Sequence, residues 1–94
     1  MSQIEAEIRA ANDAKRILGD PVFTKAFRDI ESTLIERMKS VPLGDIDTQH
    51  ELVVTLQLLG NLKKQFTTAI DTGKMAEIQK ETLLKKVSRI VRNT

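Results

Sequence analysis

The stretch Ala14-Lys15-Arg16-Ile17-Leu18-Gly19-Asp20-Pro21-Val22-Phe23, continuing to Ala26-Phe27, holds a helix stop and a helix start side by side. Gly19 suits the left-handed position that ends a helix. Asp20 is a natural N-cap, and Pro21 a natural first helical residue, because its missing N–H has no intrahelical partner to lose. Upstream, Ile4, Ile8, Ala11, Ala14 and Leu18 recur at spacings of three and four, which places them on one helical face. Ser2-Gln3-Ile4-Glu5 has the spacing of a capping box, so the first helix is expected over residues 2–18. Downstream, Phe23, Ala26, Phe27, Ile30, Leu34 and Met38 form a second stripe, with Ile35 off it. This helix should stop near Ser40, because Pro42 biases Val41 away from helical dihedrals.

Val41 to Asp47 reads as the main loop. A third helix is expected from about Thr48 to Thr72, capped by Asp47 or Thr48, with Thr48-x-x-Glu51 again at capping-box spacing. Leu52, Leu56, Leu59, Leu62, Phe66 and Ile70 make its stripe. Val53, Val54 and Leu58 lie outside the stripe's centre, so the first half of this helix is apolar nearly all round, a pattern expected of burial on more than one side. Gly60 costs about 1 kcal/mol relative to Ala in a helix interior, and close approach of a neighbouring helix would account for it. A fourth segment, from Lys74 to about Arg92, carries Ala76, Leu83, Val87, Ile90 and Val91, with Leu84 at its edge. Taking 100° per residue, this stripe is rotated by roughly 80–90° from the preceding one, so either the chain breaks or kinks at Thr72-Gly73, the favoured reading, or the tail faces something else.

The fold class expected is therefore all-α. The second and third segments would form an antiparallel hairpin, the first would pack across them, and a basic amphipathic C-terminal helix would follow. One domain is expected over residues 1–94, with a body at 1–73 and a tail at 74–94 that either folds back or protrudes.

Composition narrows the function classes. Of 94 residues, 40% are hydrophobic and 30% charged, which suits a folded chain. There is no Cys, Trp or Tyr, and a single His. Without cysteine, a disulfide-stapled domain and a Cys-ligated zinc module are excluded. No run of roughly 18 apolar residues exists and Met1–Ala10 does not read as a signal peptide, so nothing is expected to span a membrane. Residues 74–94 lack the Trp or Phe typical of a membrane-surface helix, so no membrane partner is expected. His50-Glu51 opens like HExxH, but Val54 stands where the second ligand belongs. Asp45-x-Asp47 starts like a calcium loop, but His50 and Leu56 replace the required Gly and Glu. These aspartates read as helix caps and His50 as a first-turn surface residue. Ser32 and Thr33 should face solvent or bond back to a carbonyl, and Met38 and Met75 should fill the core. No phosphate-binding glycine loop occurs. No enzyme, metal or cofactor is expected.

Charge is spread unevenly. Residues 1–73 carry a net −2 and residues 74–94 a net +4, the latter from Lys74, Lys80, Lys85, Lys86, Arg89 and Arg92 against Glu77 and Glu81. Cations in a C-terminal helix also complement the macrodipole and aid solubility. Beyond that, the tail suits docking onto a protein, or phosphate neutralisation by Lys80, Lys85, Lys86, Arg89 and Arg92. Nucleic acid fits less well, because no aromatic or Asn/Gln-rich reading face accompanies the charge. Residues 18–29 also suggest a helix-turn-helix, with Thr24, Lys25, Arg28 and Asp29 on the outer face of its second helix, but the charge there is mixed.

The stretch from Ala14 to Phe23 with Ala26-Phe27, together with Ile70-Asp71-Thr72-Gly73-Lys74-Met75-Ala76, resembles small helical proteins of tailed bacteriophages over roughly residues 10–80. Thr72-Gly73-Lys74 stands where that group tends to have a Gly-Lys junction. The resemblance implies a virion or assembly component, encoded among virion and DNA-packaging genes and located in the virion or host cytoplasm, with no catalytic residues to carry over. A chain this short buries only about 60–65% of its unfolded surface, and without disulfides or metal the remaining aid to stability is association. The expected contacts, with a second copy or another virion protein, are Ile35, Val53, Val54, Leu58, Leu83, Val87, Ile90 and Val91.

Overall fold

The computed structural model describes residues 2–92, with the backbone alone for Ser2. The Ser2 hydroxyl of the expected capping box lies outside the described residues. Three helices, α1 (Ser2–Leu18), α2 (Pro21–Ser40) and α3 (Ile46–Arg92), account for nearly all of them, and α1 packs on α3. No strand occurs among the described residues. The chain divides into two compact units, one of Met1–Arg16 with Phe66–Thr94 and the other of Ile17–Gln65.

In the first unit, the face of α1 read from the sequence is the packed one. Ile4, Ala11 and Ala14 are buried against α3, whose contribution is Gly73 and Ala76. Small residues on both sides let the two backbones approach closely. A Cβ added to Gly73 would overlap the Ala11 methyl and come within 3.2 Å of the Glu7 carbonyl oxygen. Gly73 is thus where α1 crosses, and α3 runs uninterrupted through it as a 47-residue helix.

The expected break at Thr72-Gly73 is therefore incorrect, and the period of the pattern explains why. Leu59, Leu62, Phe66, Ala69, Gly73, Ala76, Lys80, Leu83, Val87 and Ile90 alternate at spacings of three and four, a strict seven-residue repeat. A straight helix drifts by about 20° per heptad against such a repeat, so about four heptads yield the roughly 80° rotation without any break. Met75, expected in the core, is exposed because it projects away from the face that Gly73 and Ala76 present to α1.

In the second unit, Asp20 caps α2 as expected. Its Oδ1 accepts from the backbone N–H groups of Val22 (2.8 Å) and Phe23 (3.0 Å), with Pro21 at the first helical position. Gly19 does not take the left-handed conformation, since no described glycine has positive φ. The tight turn is closed instead by the Asp20 N–H donating to the Ile17 carbonyl at 3.1 Å. α2 ends at Ser40 and Val41 is extended, as Pro42 requires.

α3 begins at Ile46, two residues before Thr48, because Asp45 is the cap. Its side chain accepts from Thr48 N–H at 3.2 Å, and its carbonyl accepts from Gln49 N–H at 3.2 Å. Gln49 donates through Nε2 to the carbonyls of Met38 (3.1 Å) and Val41 (3.3 Å), tying the start of α3 to the end of α2.

Leu52 is the buried residue of this unit, with Phe23, Phe27, Leu34, Met38, Leu56 and Leu59 half-buried. Ala26, Ile30 and Leu62, expected on packed stripes, are exposed. The Phe23 and Phe27 rings lie 6.1 Å apart, and the Lys63 ammonium sits 5.9 Å from the Phe27 centroid. A methyl added at Gly60 would find nothing within 4 Å, so no helix approaches there as the sequence suggested.

Candidate interaction surfaces

Two surfaces combine exposed apolar residues with unbalanced charge, one in each unit. The first is the C-terminal part of α3. Lys80 is half-buried, and an open pocket joins it to Glu5, Ile8, Arg9 and Asn12 of α1. From 81 to 92 every residue is exposed. Leu83, Val87 and Ile90 continue the heptad positions that Gly73, Ala76 and Lys80 occupy against α1, and Leu84 and Val91 widen the face. Their exposure rises toward the end of the helix, from 38% at Leu83 through 57% at Val87 to 65% at Ile90 and 67% at Val91. Lys85, Lys86, Arg89 and Arg92 are exposed on the same turns.

The second surface is the α2–α3 connection and the start of α3. Leu43 is 94% exposed and Ile46 73%. Asp45 and Asp47 flank Ile46, and Glu51 follows one turn after Asp47, all three exposed. Along α3, Val53, Val54 and Leu58 are exposed, so the burial on several sides expected for this half of the helix is not met within the chain. Ile35 on α2 is likewise exposed. Sequence reasoning named Ile35, Val53, Val54 and Leu58 but missed Leu43 and Ile46. The signal for them was two large apolar residues beside Gly44 and Asp45, in a segment where turn residues are ordinarily polar.

The remaining sequence candidates are placed differently. On the outer face of α2 proposed for groove reading, Lys25 pairs with Asp29 at 2.6 Å, and the Thr24 hydroxyl donates back to the carbonyls of Leu18 and Asp20. An open groove lined by Leu18, Phe23, Phe27, Arg28, Glu31 and Lys63 lies beside it. Thr33 bonds back to the Asp29 carbonyl at 2.8 Å. His50 is exposed on the first turns of α3. Among the described residues no three His, Cys, Asp or Glu side chains cluster as metal ligands, and no helix is long and apolar enough to cross a membrane. No protein family, curated protein or solved structure matches the chain.

Proposed function

We propose that this protein is a non-enzymatic assembly component that works by pairing exposed apolar helix faces with a second copy of itself or another helical protein. The observation that carries this reading is the seam of α3, which α1 covers around Gly73 and Ala76 and which continues in register through Leu83, Val87 and Ile90, where every residue is exposed. A heptad seam of this kind packs knobs into the holes of a facing helix. Val53, Val54, Leu58 and Ile35 supply further apolar surface in the other unit, where α2 and the first half of α3 pair as an antiparallel hairpin. Two contacts support that hairpin: Gln49 with Met38 and Val41, and Lys63 with Phe27. The virion setting rests on the phage-protein resemblance alone.

Light scattering across concentration tests the proposal. The wild type associates, and Val87→Asp abolishes higher-order assembly while helicity by circular dichroism is retained. A Val87→Asp chain that assembles like the wild type removes the tail from the contact. A wild type that stays solitary at every concentration removes self-assembly altogether.

One observation favours a second reading. At 100° per residue, Lys85, Arg89 and Arg92 fall on the side of the tail away from Leu83, Val87 and Ile90, leaving a cationic stripe free to neutralise phosphates along with Lys80 and Lys86. Nucleic-acid binding of this kind weakens linearly in log affinity against log salt, whereas apolar pairing does not.

A further inference from the structure

We propose that the acidic apolar tip around Leu43, Asp45, Ile46 and Asp47 of one copy seats on the basic apolar tail of another, a head-to-tail contact that rests on the assembly reading above and specifies its partner. The two surfaces are complementary in both respects that matter. Residues 40–62 contain Asp45, Asp47 and Glu51 and no Lys or Arg, whereas residues 80–92 contain five cations and the single acid Glu81. Each carries large apolar side chains that its own unit leaves in solvent: Leu43 and Ile46 on the tip, Leu83, Val87 and Ile90 on the tail.

Lys86 lies three residues from Leu83 and four from Ile90, so it borders the seam, and Arg89 follows one turn along the helix, about 60° further toward the cationic side. A tip resting on Leu83 and Ile90 brings Asp47 and Glu51 toward Lys86, with Arg89 adding positive charge on the outer flank. A tail paired with another tail would instead bring two net-positive segments together, an arrangement that like-charge juxtaposition penalises. The contact uses different patches on the two copies, so it is heterologous and propagates into a closed ring or an open filament.

Charge exchange tests the pairing. Lys86→Glu with Arg89→Glu reverses the tail, and Asp47→Lys with Glu51→Lys reverses the tip while leaving the Asp45 cap in place. Each reversed chain alone should be monomeric by light scattering and helical by circular dichroism, and an equimolar mixture should regain association. If the wild type associates but the reversed chains associate equally well, the tip-to-tail contact is wrong and the assembly reading stands. If the wild type is solitary, self-assembly fails and the tip-to-tail contact fails with it.

Because the chain has no native cysteine, oxidative cross-linking locates the contact independently of those substitutions. Leu43→Cys mixed with Val87→Cys should give a disulfide-linked dimer on a non-reducing gel, and neither variant alone should. Dimer from Val87→Cys alone, with no increase when Leu43→Cys is added, would establish tail-to-tail pairing and overturn the proposal.

Discussion

Replacing Gly73 and Gly60 in turn by alanine sets one gain against one obstruction. In a helix interior Ala is favoured over Gly by about 1 kcal/mol, and that gain is available at both positions. At Gly60 the added methyl meets nothing within 4 Å, so Gly60→Ala should stabilise the protein by about 0.5–1 kcal/mol. At Gly73 the methyl would overlap that of Ala11 and crowd the Glu7 carbonyl. Neither neighbour can rotate aside, since one is a Cβ and the other is backbone. The helices must separate instead, loosening Ile4, Ala14 and Ala76, which are buried at the same crossing.

Overpacking of this kind costs about 1–3 kcal/mol, and partial exposure of Ile4 adds about 1 kcal/mol. After the propensity gain, Gly73→Ala should be destabilised by about 1–3 kcal/mol. With a urea m-value of about 1 kcal/mol per molar, the two variants should separate by about 1.5–4 M in unfolding midpoint followed by circular dichroism. Hydrogen exchange should quicken in α1 of Gly73→Ala and stay unchanged there in Gly60→Ala. Adding Ala11→Gly to Gly73→Ala restores the missing space, so the double variant should show favourable coupling between two changes that are each unfavourable alone. A Gly73→Ala chain as stable as the wild type, with α1 equally protected, would refute the close crossing.

Other interactions have narrower consequences. Asp20→Ala removes the acceptor for two N–H groups at the start of α2 and should lower stability by about 1 kcal/mol, a fall in melting temperature of about 4–8 °C by calorimetry. Gln49→Ala removes both bonds to the end of α2 and should cost about 1–2 kcal/mol in urea unfolding, with exchange quickening around Met38 and Val41. Gln49→Glu should be at least as damaging, because a carboxylate would face two carbonyl oxygens without a proton to donate.

How far the chain reveals itself before folding depends on which period its apolar residues follow. α1 was legible because Ile4, Ala11 and Ala14 serve a single neighbour at helical spacing, and the same three are buried. The start of α2 was legible because Asp-Pro states its own capping chemistry. The continuity of α3 was not, because a 3.6-residue period applied to a seven-residue repeat converts regularity into an apparent rotation, and Gly73 then looks like its cause. Only the third dimension assigns the glycines: the close approach read at Gly60 belongs to Gly73, which faces a backbone, while Gly60 faces open solvent. The start of α3 slipped by a related ambiguity, since Asp45, Asp47 and Thr48 are all competent caps and the choice falls to the tertiary tie that Gln49 makes with α2. The candidate surfaces were half legible. Apolar residues surplus to a stripe, such as Val54 and Leu58, and a stripe that outruns its neighbour, as at Val87, can be named from periodicity. Leu43 and Ile46 belong to no stripe, so their exposure emerged only once the connection between α2 and α3 was in place. Such a residue stands outside the apolar stripes, and the proposed tip-to-tail contact is what would bury it.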